Sequence, residues 1–294
     1  MSEQDRLYRG LAYDGQFRVF AVHSTQTVQQ ARDLHDLSPL ATLLLGKMIT
    51  AAAMMSLELK VPGSELTLRV QGDGELQGAT VICSFSGDLR GHAFQPRLFF
   101  EQAQENFLPG KHIGKGTLSV SKYFPHAEPQ TGHVSLEKPE FAENLANFYL
   151  QSEQIPTAVN LGILLSHDAT IKAAGGYLIQ QLPHADPFYA DVLIDNIAHT
   201  PNVSDLMDMG LSLPEILSRF VFKDAAFKLE PVHGIRYRCN CSRQRFRSAL
   251  KLLGKDELED MREGVKPVCH YCNREYQFST VDIAGLISEL ENHS

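Results

Sequence analysis

Four of the five cysteines lie in two close pairs near the end of the chain. One residue separates Cys239 from Cys241 in RCNCSRQRF, two residues separate Cys269 from Cys272 in VCHYCNREY, and 27 residues lie between the pairs. Thiolates paired on two turns can supply the four corners of a tetrahedral zinc site. The spacing therefore predicts one structural Zn²⁺ ion bound by Cys239, Cys241, Cys269 and Cys272.

Three other residues could be part of this chemistry. His233 and His270 could bind zinc, but four sulfur atoms already complete a tetrahedron. We therefore expect both imidazoles to be partly exposed and not to bind the metal. The fifth cysteine, Cys83, lies on a predicted strand far from the pairs. We expect it to be a small buried apolar residue.

Five arginines near the first pair suggest a nucleic-acid-binding patch. They are Arg236, Arg238, Arg243, Arg245 and Arg247. Residues 232–294 nevertheless contain ten Lys or Arg and nine Asp or Glu, and the whole chain has a formal net charge of −8. A zinc ion with four thiolates carries net negative charge, so nearby arginines have an electrostatic role without nucleic acid. The charge balance predicts no nucleic-acid partner.

Zinc would stabilise the last part of the chain strongly. A unit of about 60 residues has a marginal core, whereas a structural zinc ion can contribute on the order of 10 to 16 kcal/mol of apparent folding free energy. Oxidants attack thiolates, and each cysteine has a close partner in sequence that can convert a sulfenic acid into a disulfide. Oxidation could therefore expel the metal. An inert zinc ribbon is equally compatible with the spacing, and a thiol oxidoreductase is a further alternative because C-x2-C is also a redox motif.

The part of the chain before the cysteines reads as an α+β fold. Residues 1–183 mix strand and helix patterns without the regular alternation of a doubly wound sheet, which predicts a mixed α/β core domain with antiparallel sheets. Asp14-Gly15 is the predicted turn of one hairpin, and Gly72-Asp73-Gly74 is that of a second. Ser38-Pro39 opens a predicted buried helix.

Further elements complete this predicted core domain. PEFAENLANFYLQSEQ is predicted to be an amphipathic helix that ends before Pro156. AVNLGILLS and IKAAGGYLIQQLP are predicted strands, and Gly175-Gly176 in the second allows a bulge or a close backbone approach.

Residues 184–231 are predicted to form a helical linker built from short helices. Ser212 and Glu215 form a predicted capping box, with Pro214 in the first turn. The apolar residues are many for an isolated connector, so we expect them to pack on another element; the face includes Leu213, Ile216, Leu217 and Phe220.

Residues 232–294 are predicted to form a small C-terminal zinc-binding domain. Ser242 is predicted to cap a helix whose buried face comprises Phe246, Leu250 and Leu253, with Gly254 as its stop. A final helix is predicted to bury Ile283, Leu286, Ile287 and Leu290.

The sequence offers little sign of catalysis or of a membrane span. The N-terminus MSEQDRLYRG is charged where a signal peptide would be apolar, and Lys47 interrupts the longest apolar stretch. These features predict a cytoplasmic protein that does not bind a membrane. GKHIGKGT does not fit the phosphate-loop pattern, and motifs for a hydrolase nucleophile or a zinc protease do not occur. We therefore expect a protein that is not an enzyme.

The cysteine signature CNCSRQR followed by VCHYCNREYQF resembles that of the 33 kDa chaperonin family, the redox-regulated heat-shock chaperones of bacteria. Four core segments are also similar to this family, namely VQGDGEL, GKGTLSVSK, YLQSEQIPT and AAGGYLIQQLP, and LSLPEILSRF resembles its linker. The resemblance covers nearly the whole chain. One departure is that YFPHAEPQTGHVSL lacks the tyrosine expected before Gly132.

This resemblance implies a chaperone in three parts: a core domain for client binding and dimerisation (1–183), a metastable helical linker (184–231) and a zinc-binding redox switch (232–294). It implies an ATP-independent holdase that is inactive while reduced and zinc-bound. Peroxide with unfolding conditions, or hypochlorite, would form the disulfides Cys239–Cys241 and Cys269–Cys272, release zinc, unfold the switch and the linker, and favour a homodimer that binds unfolding client proteins.

The linker face is a hypothesis that combines the resemblance with the apolar pattern. If Leu213, Ile216, Leu217 and Phe220 pack on the core while zinc is bound, unfolding would expose them as adhesive surface for clients.

Overall fold

A computed structural model of the chain describes residues 4–99, 108–223 and 225–291. The chain divides into two compact units at the bond between Arg238 and Cys239. Two sheets, antiparallel except for one short pair of strands, and the helices around them make up the first unit, and short helices with the cysteine cluster make up the second. The predicted α+β class with antiparallel sheets is confirmed.

One sheet of the first unit has five strands, and every neighbouring pair is antiparallel. In spatial order they are β10 (Phe227–Gly234), β1 (Arg6–Ala12), β2 (Phe17–His23), β9 (Ile171–Gln181) and β8 (Thr157–Leu165). The predicted hairpin turn at Asp14-Gly15 joins β1 to β2, where Asp14 and Gly15 both adopt positive φ. The predicted close approach at Gly176 is also present, because a Cβ there would overlap the carbonyl oxygen of Asn160 on β8.

The other sheet has six strands and includes the second predicted hairpin as β3 and β4. In spatial order they are β11 (Arg236–Tyr237), β5 (Asp88–Ala93), β4 (Gly78–Ser84), β3 (Glu65–Gly72), β6 (Gly116–Tyr123) and β7 (Gln130–Ser135). Strand β11 pairs with β5 in parallel, whereas the other neighbours are antiparallel. The segment Phe227–Arg238 therefore contributes a strand to each sheet.

A long apolar helix, α2 (Pro39–Met55), contacts strands of both sheets and lies at the centre of the main core. It begins as predicted, because the Ser38 side chain accepts a hydrogen bond from the backbone N–H of Ala41. It continues as a 3₁₀ turn, Ser56–Glu58, and this stretch is long and apolar enough to span a membrane by length and composition. Most of it, 83%, is buried inside the protein, as expected of a core helix.

Three shorter helices complete this part of the first unit: α1 (Thr25–His35), α3 (Pro109–Ile113) and α4 (Phe141–Gln151). The predicted amphipathic helix is α4, and it ends before Pro156 as expected.

The predicted linker is helical over most of its length and packs on the five-stranded sheet. Its helices, called the linker helices below, are α5 (Pro187–Ala198), α6 (Val203–Asp208), α7 (Leu213–Ile216) and a π-helical turn (Leu217–Phe222). They form a second apolar core with the sheet face that carries Phe17, Val19 and Tyr177. The end of the predicted linker differs from our expectation, because residues 227–231 belong to strand β10, which is held by pairing with distant β1.

The second unit contains α8 (Arg243–Lys251), α9 (Lys255–Asp260) and α10 (Thr280–Glu291) around a small core. Ser242 caps α8 as predicted, accepting a hydrogen bond from the backbone N–H of Arg245. Leu253, expected on the buried face of this helix, is 46% exposed instead, because α8 ends at Lys251. The predicted stripe of α10 is confirmed for Ile283, Leu286 and Ile287, which are buried.

Candidate metal centre

Cys239 and Cys241 lie on the short stretch that leads into α8. The Ser242 cap fixes the direction in which the chain enters that helix, so both cysteines are held close to its N-terminus. Both are partly buried.

Cys269 and Cys272 lie on a tight turn that two isolated β-bridges close. Val265 bridges to Phe278 and Val268 to Glu275, so the flanking chains run antiparallel. Within the turn the carbonyl oxygen of Cys269 accepts hydrogen bonds from the N–H groups of Cys272, at 3.3 Å, and Asn273, at 2.8 Å. Asn273 has φ of 54°, a left-handed conformation that asparagine tolerates better than most residues. The turn thereby brings both sulfur atoms to one side.

The four sulfur atoms of the two pairs lie within 4.8 Å of one another, so the cysteines are positioned to hold a metal ion. Cys239 Sγ lies 3.7 Å from Cys269 Sγ, and Cys241 Sγ lies 3.4 Å from Cys272 Sγ. Sulfurs bound to one tetrahedral zinc ion at about 2.3 Å are separated by roughly 3.8 Å, so the cluster fits zinc. These two short contacts join one pair to the other, and proximity alone therefore does not select the partners of a disulfide.

Tyr276 is a neighbour of the cluster that the sequence patterns did not indicate. Its hydroxyl lies 3.1 Å from Cys241 Sγ, and its ring packs on Phe246 of α8 with centroids 4.8 Å apart. Partial burial acts to raise the pKa of the Cys241 thiol, but hydrogen bonds from Tyr276 and the neighbouring sulfurs outweigh it and lower the pKa to about 7. Burial raises the pKa of the Cys239 thiol instead. The thiols of Cys239 and Cys241 are thus chemically unequal.

Within the described residues, the other candidate residues, His233, His270 and Cys83, are not part of this cluster. The metal-binding group contains neither His233 nor His270. Cys83 is fully buried on β4, and burial raises the pKa of its thiol to about 12, as expected for an inert apolar residue.

Four of the five arginines near the first pair form ion pairs with carboxylates. Arg236 and Arg238 pair with Asp88 at 2.6 and 3.5 Å, Arg243 pairs with Asp282 at 2.8 Å, and Arg247 pairs with Glu289. Arg236 and Arg238 share the single carboxylate of Asp88, and Glu289 also pairs with Lys251, so carboxylates offset part of the positive charge of this run.

The candidate client face is buried against the five-stranded sheet. Leu213, Ile216 and Leu217 are almost fully buried, and Phe220 is partly buried in the same apolar core. The face is held at both ends: Glu215 accepts hydrogen bonds from the backbone N–H and the hydroxyl of Ser212, and Asn196 of α5 donates to the carbonyl oxygen of Val221.

Comparison with known proteins supplies the context for these features. A model of the family described as Hsp33 protein matches residues 5–279. The chain is 35% identical over 293 residues to the 33 kDa chaperonin of Acetivibrio thermocellus, covering 98% of this chain and 99% of that protein. It is 36% identical over 292 residues to the 33 kDa chaperonin of Desulforamulus reducens, with coverage of 98% and 99%.

A solved structure resembles the fold throughout its length. The crystal structure of a 33 kDa chaperonin (heat shock protein 33 homolog) from Thermotoga maritima has a TM-score of 0.91 and 29% sequence identity, covering 99% of this chain and 100% of that one. The similarity therefore extends over both units of the chain.

Proposed function

The chain belongs to the Hsp33 protein family of chaperones, and we propose that it is a redox-regulated holdase that binds unfolding proteins without ATP. In the proposed cycle the reduced, zinc-bound chain is inactive. Oxidation forms disulfides, releases zinc and unfolds the cysteine-bearing second unit and the linker helices, and the chain then binds clients. The observation that carries this proposal is the group of four sulfur atoms within 4.8 Å of one another.

The proposed ligands of one Zn²⁺ ion are Cys239, Cys241, Cys269 and Cys272. Zinc, when bound, would keep the four sulfurs as thiolates and tie the two turns together. A thiolate that attacks hydrogen peroxide becomes a sulfenic acid and releases hydroxide; a neighbouring thiolate then attacks that sulfur, a disulfide forms and a second hydroxide leaves. Two disulfides, Cys239–Cys241 and Cys269–Cys272 in the proposal, thus consume two peroxide molecules and leave no thiolate for the metal.

The proposed client-binding surface includes the buried face of the linker helices. Leu213, Ile216 and Leu217 are withheld from water in the structure, and Phe220 is partly withheld. Unfolding of the linker would expose these side chains together with the sheet face beneath them, and large apolar patches of this kind bind other proteins.

Local features of the linker support the proposal that it is metastable. Leu217–Phe222 is a π-helical turn, a rare geometry that often marks functional sites. Lys223, which follows it, has φ of 49°. The buried hydroxyl of Tyr13 under the linker helices has no hydrogen-bond partner among the described residues, which costs about 1–3 kcal/mol.

Partners and location follow from the same proposal. We propose that the chain binds unfolded or partly unfolded proteins, forms a homodimer when oxidised, acts in the cytoplasm and works by binding rather than catalysis. The ion pairs of the arginines near Cys239 support the absence of a nucleic-acid partner.

An inert zinc ribbon attached to a core of other function is the main alternative. Light scattering of an aggregating client distinguishes the two. We expect the oxidised chain to suppress aggregation and the reduced, zinc-loaded chain not to do so. Equal suppression by both forms would exclude a redox switch.

A further inference from the structure

Residues Phe227–Arg238, called the covering segment below, lie along the edges of both sheets of the first unit. Strand β10 pairs with β1 from Ala12↔Phe227 to Arg6↔Gly234, and β11 pairs with β5 at Arg236↔Asp88 and Tyr237↔Leu89. Without this segment, β1 and β5 would become edge strands. An uncovered edge presents a row of unpaired N–H and C=O groups that readily accepts another strand.

The strand that covers β1 is held mainly by its backbone. No residue of β10 is buried, and partly buried and exposed positions alternate from Phe227 to Glu230. Phe227 and Leu229 pack against the sheet, whereas Lys228 and Glu230 face outward and pair with each other. Pairing with β1 therefore requires an extended backbone with apolar side chains at alternate positions. Many extended polypeptides meet this requirement.

The covering segment is fixed more firmly at its two ends. At one end Phe227 stacks on Phe222 of the linker helices, with ring centroids 4.7 Å apart. At the other end Ile235 and Tyr237 are buried in the main core, and Tyr237 lies two residues before Cys239. The two ends thus adjoin the two parts that unfold in the proposed function, the linker helices and the cysteine-bearing unit.

We propose that the covering segment leaves β1 on activation and that the vacated β1 edge binds an extended segment of an unfolding client as an added strand. This inference rests on the proposed function and deepens it, since it names a main-chain docking site beside the exposed apolar face. The occupant is an extended polypeptide because β10 itself shows that an extended polypeptide fits. An apolar side chain at every second position would take the places of Phe227 and Leu229.

The neighbour of β1 at this edge can approach closely only because residue 10 is a glycine. A Cβ at this position would overlap the carbonyl oxygen of Lys228, so the absence of a side chain lets the neighbouring strand approach. A client strand docked in the same register would need the same space. Gly10→Ala should therefore obstruct the edge for β10 and for clients alike.

A labelled peptide of residues 226–234, AFKLEPVHG, tests the proposal on the full-length chain. Fluorescence anisotropy should show binding to the oxidised chain and binding at least about tenfold weaker to the reduced zinc-loaded chain, because apparent affinity scales with the fraction of edges that are free. The control peptide carries Lys228→Pro, which removes the N–H group that faces β1 opposite Leu11. It should bind neither form.

Competition separates this proposal from the proposed function. In the light-scattering assay, suppression of client aggregation by the oxidised chain without peptide tests the proposed holdase function. Adding saturating peptide should then abolish most of that suppression. Suppression without any peptide binding, or peptide binding that leaves suppression intact, would overturn the edge proposal while the holdase stands. The peptide could instead dissociate a dimer and leave client suppression intact. That result would assign the β1 edge to a second copy of the chain and would also overturn the edge proposal.

Gly10→Ala in the full-length chain provides the second arm. The oxidised variant should lose peptide binding and most client suppression, whereas the matched variant Gly285→Ala, whose added Cβ meets nothing within 4 Å, should keep both. Full suppression by oxidised Gly10→Ala would contradict docking at this edge. If the variant fails to fold, the peptide experiment decides alone.

Discussion

The Tyr237 hydroxyl donates a hydrogen bond to the carbonyl oxygen of Gly91 at 2.5 Å and accepts one from the Gly91 N–H at 3.1 Å. Because the hydroxyl has one proton, the ring nitrogen of His35 that lies 2.9 Å away must be the donor in their contact. A buried side chain thus fixes the end of the first unit two residues before the first cysteine. Events at the cysteines can act on the covering segment through the backbone that follows this anchor.

Replacing Tyr237 with phenylalanine should loosen the covering segment. The change leaves the buried polar groups of Gly91 without their partner, at a cost of about 1–3 kcal/mol. Amide hydrogen exchange in Phe227–Arg238, measured by mass spectrometry, should become at least about fivefold faster. Tyr123→Phe on the other side of the same sheet is the control, because Tyr123 is 45% exposed. Unchanged exchange in the Tyr237 variant would show that the anchor does not hold the segment.

Removing one proposed ligand should unfold the second unit. Cys272→Ser replaces a thiolate with a poor zinc ligand, and structural zinc contributes on the order of 10 to 16 kcal/mol of apparent folding free energy. We expect the purified variant to contain far less than one zinc per chain and to have lower helicity. Cys83→Ala, at the buried cysteine outside the cluster, should keep a full equivalent. Retention of zinc by the Cys272 variant would remove it from the ligand set.

The buried thiol of Cys83 should make stability fall at high pH. Burial raises its pKa from 9.0 to about 12, so the thiol stays protonated in the folded chain while it ionises in the unfolded one. The resulting stability is present below pH 9 and is lost progressively as the pH rises toward 12, by up to about 1.4 kcal/mol per pH unit. Melting temperature between pH 8 and 10.5 should therefore fall less in Cys83→Ala than in the unmodified chain. Parallel curves would contradict this assignment.

Weakening the linker face should activate the chain without oxidation. Leu217 is fully buried, and Leu217→Ala should cost about 2–5 kcal/mol of packing free energy. The reduced, zinc-loaded variant should then suppress client aggregation at temperatures where the unmodified chain does not. Met209→Ala is the matched control because Met209, in the same region, is 76% exposed. Identical behaviour of the two variants would argue against linker release.

Strengthening the same interface should have the opposite effect. Tyr13→Phe removes a buried hydroxyl without a partner among the described residues and keeps the ring that packs on Tyr189 and Phe222. The gain should be about 1 kcal/mol. Activation by peroxide should then need a higher temperature, as measured by the midpoint of client suppression. An unchanged or lower midpoint would contradict the expected gain.

Local signals predicted much of this fold, and long-range pairing explains most of the rest. The turn at Asp14-Gly15 and the caps at Ser38 and Ser242 depend on neighbouring residues, so the sequence patterns located them correctly. Strand β10 pairs with β1 more than 200 residues earlier in the chain, and its local alternation of apolar and charged residues spans only Phe227 to Glu230, which is too short to mark a strand by itself.

The same distinction applies to the candidate site. Cysteine spacing predicted a four-sulfur cluster because zinc ligands follow short turns. The Tyr276 contact with Cys241 and the Tyr237 anchor could not be predicted in this way, since an isolated tyrosine carries no spacing signal.

We propose that oxidation of the cysteine cluster releases zinc and unfolds the linker helices to produce a chaperone. Three quantities can be followed together during peroxide treatment at raised temperature. A colorimetric chelator measures zinc release, and circular dichroism measures helix content. Samples added to an aggregating client measure suppression of its aggregation. We expect that one zinc per chain is released as helicity falls and client suppression rises on the same time course. Retained zinc with constant helicity, or full suppression before any zinc leaves, would contradict it.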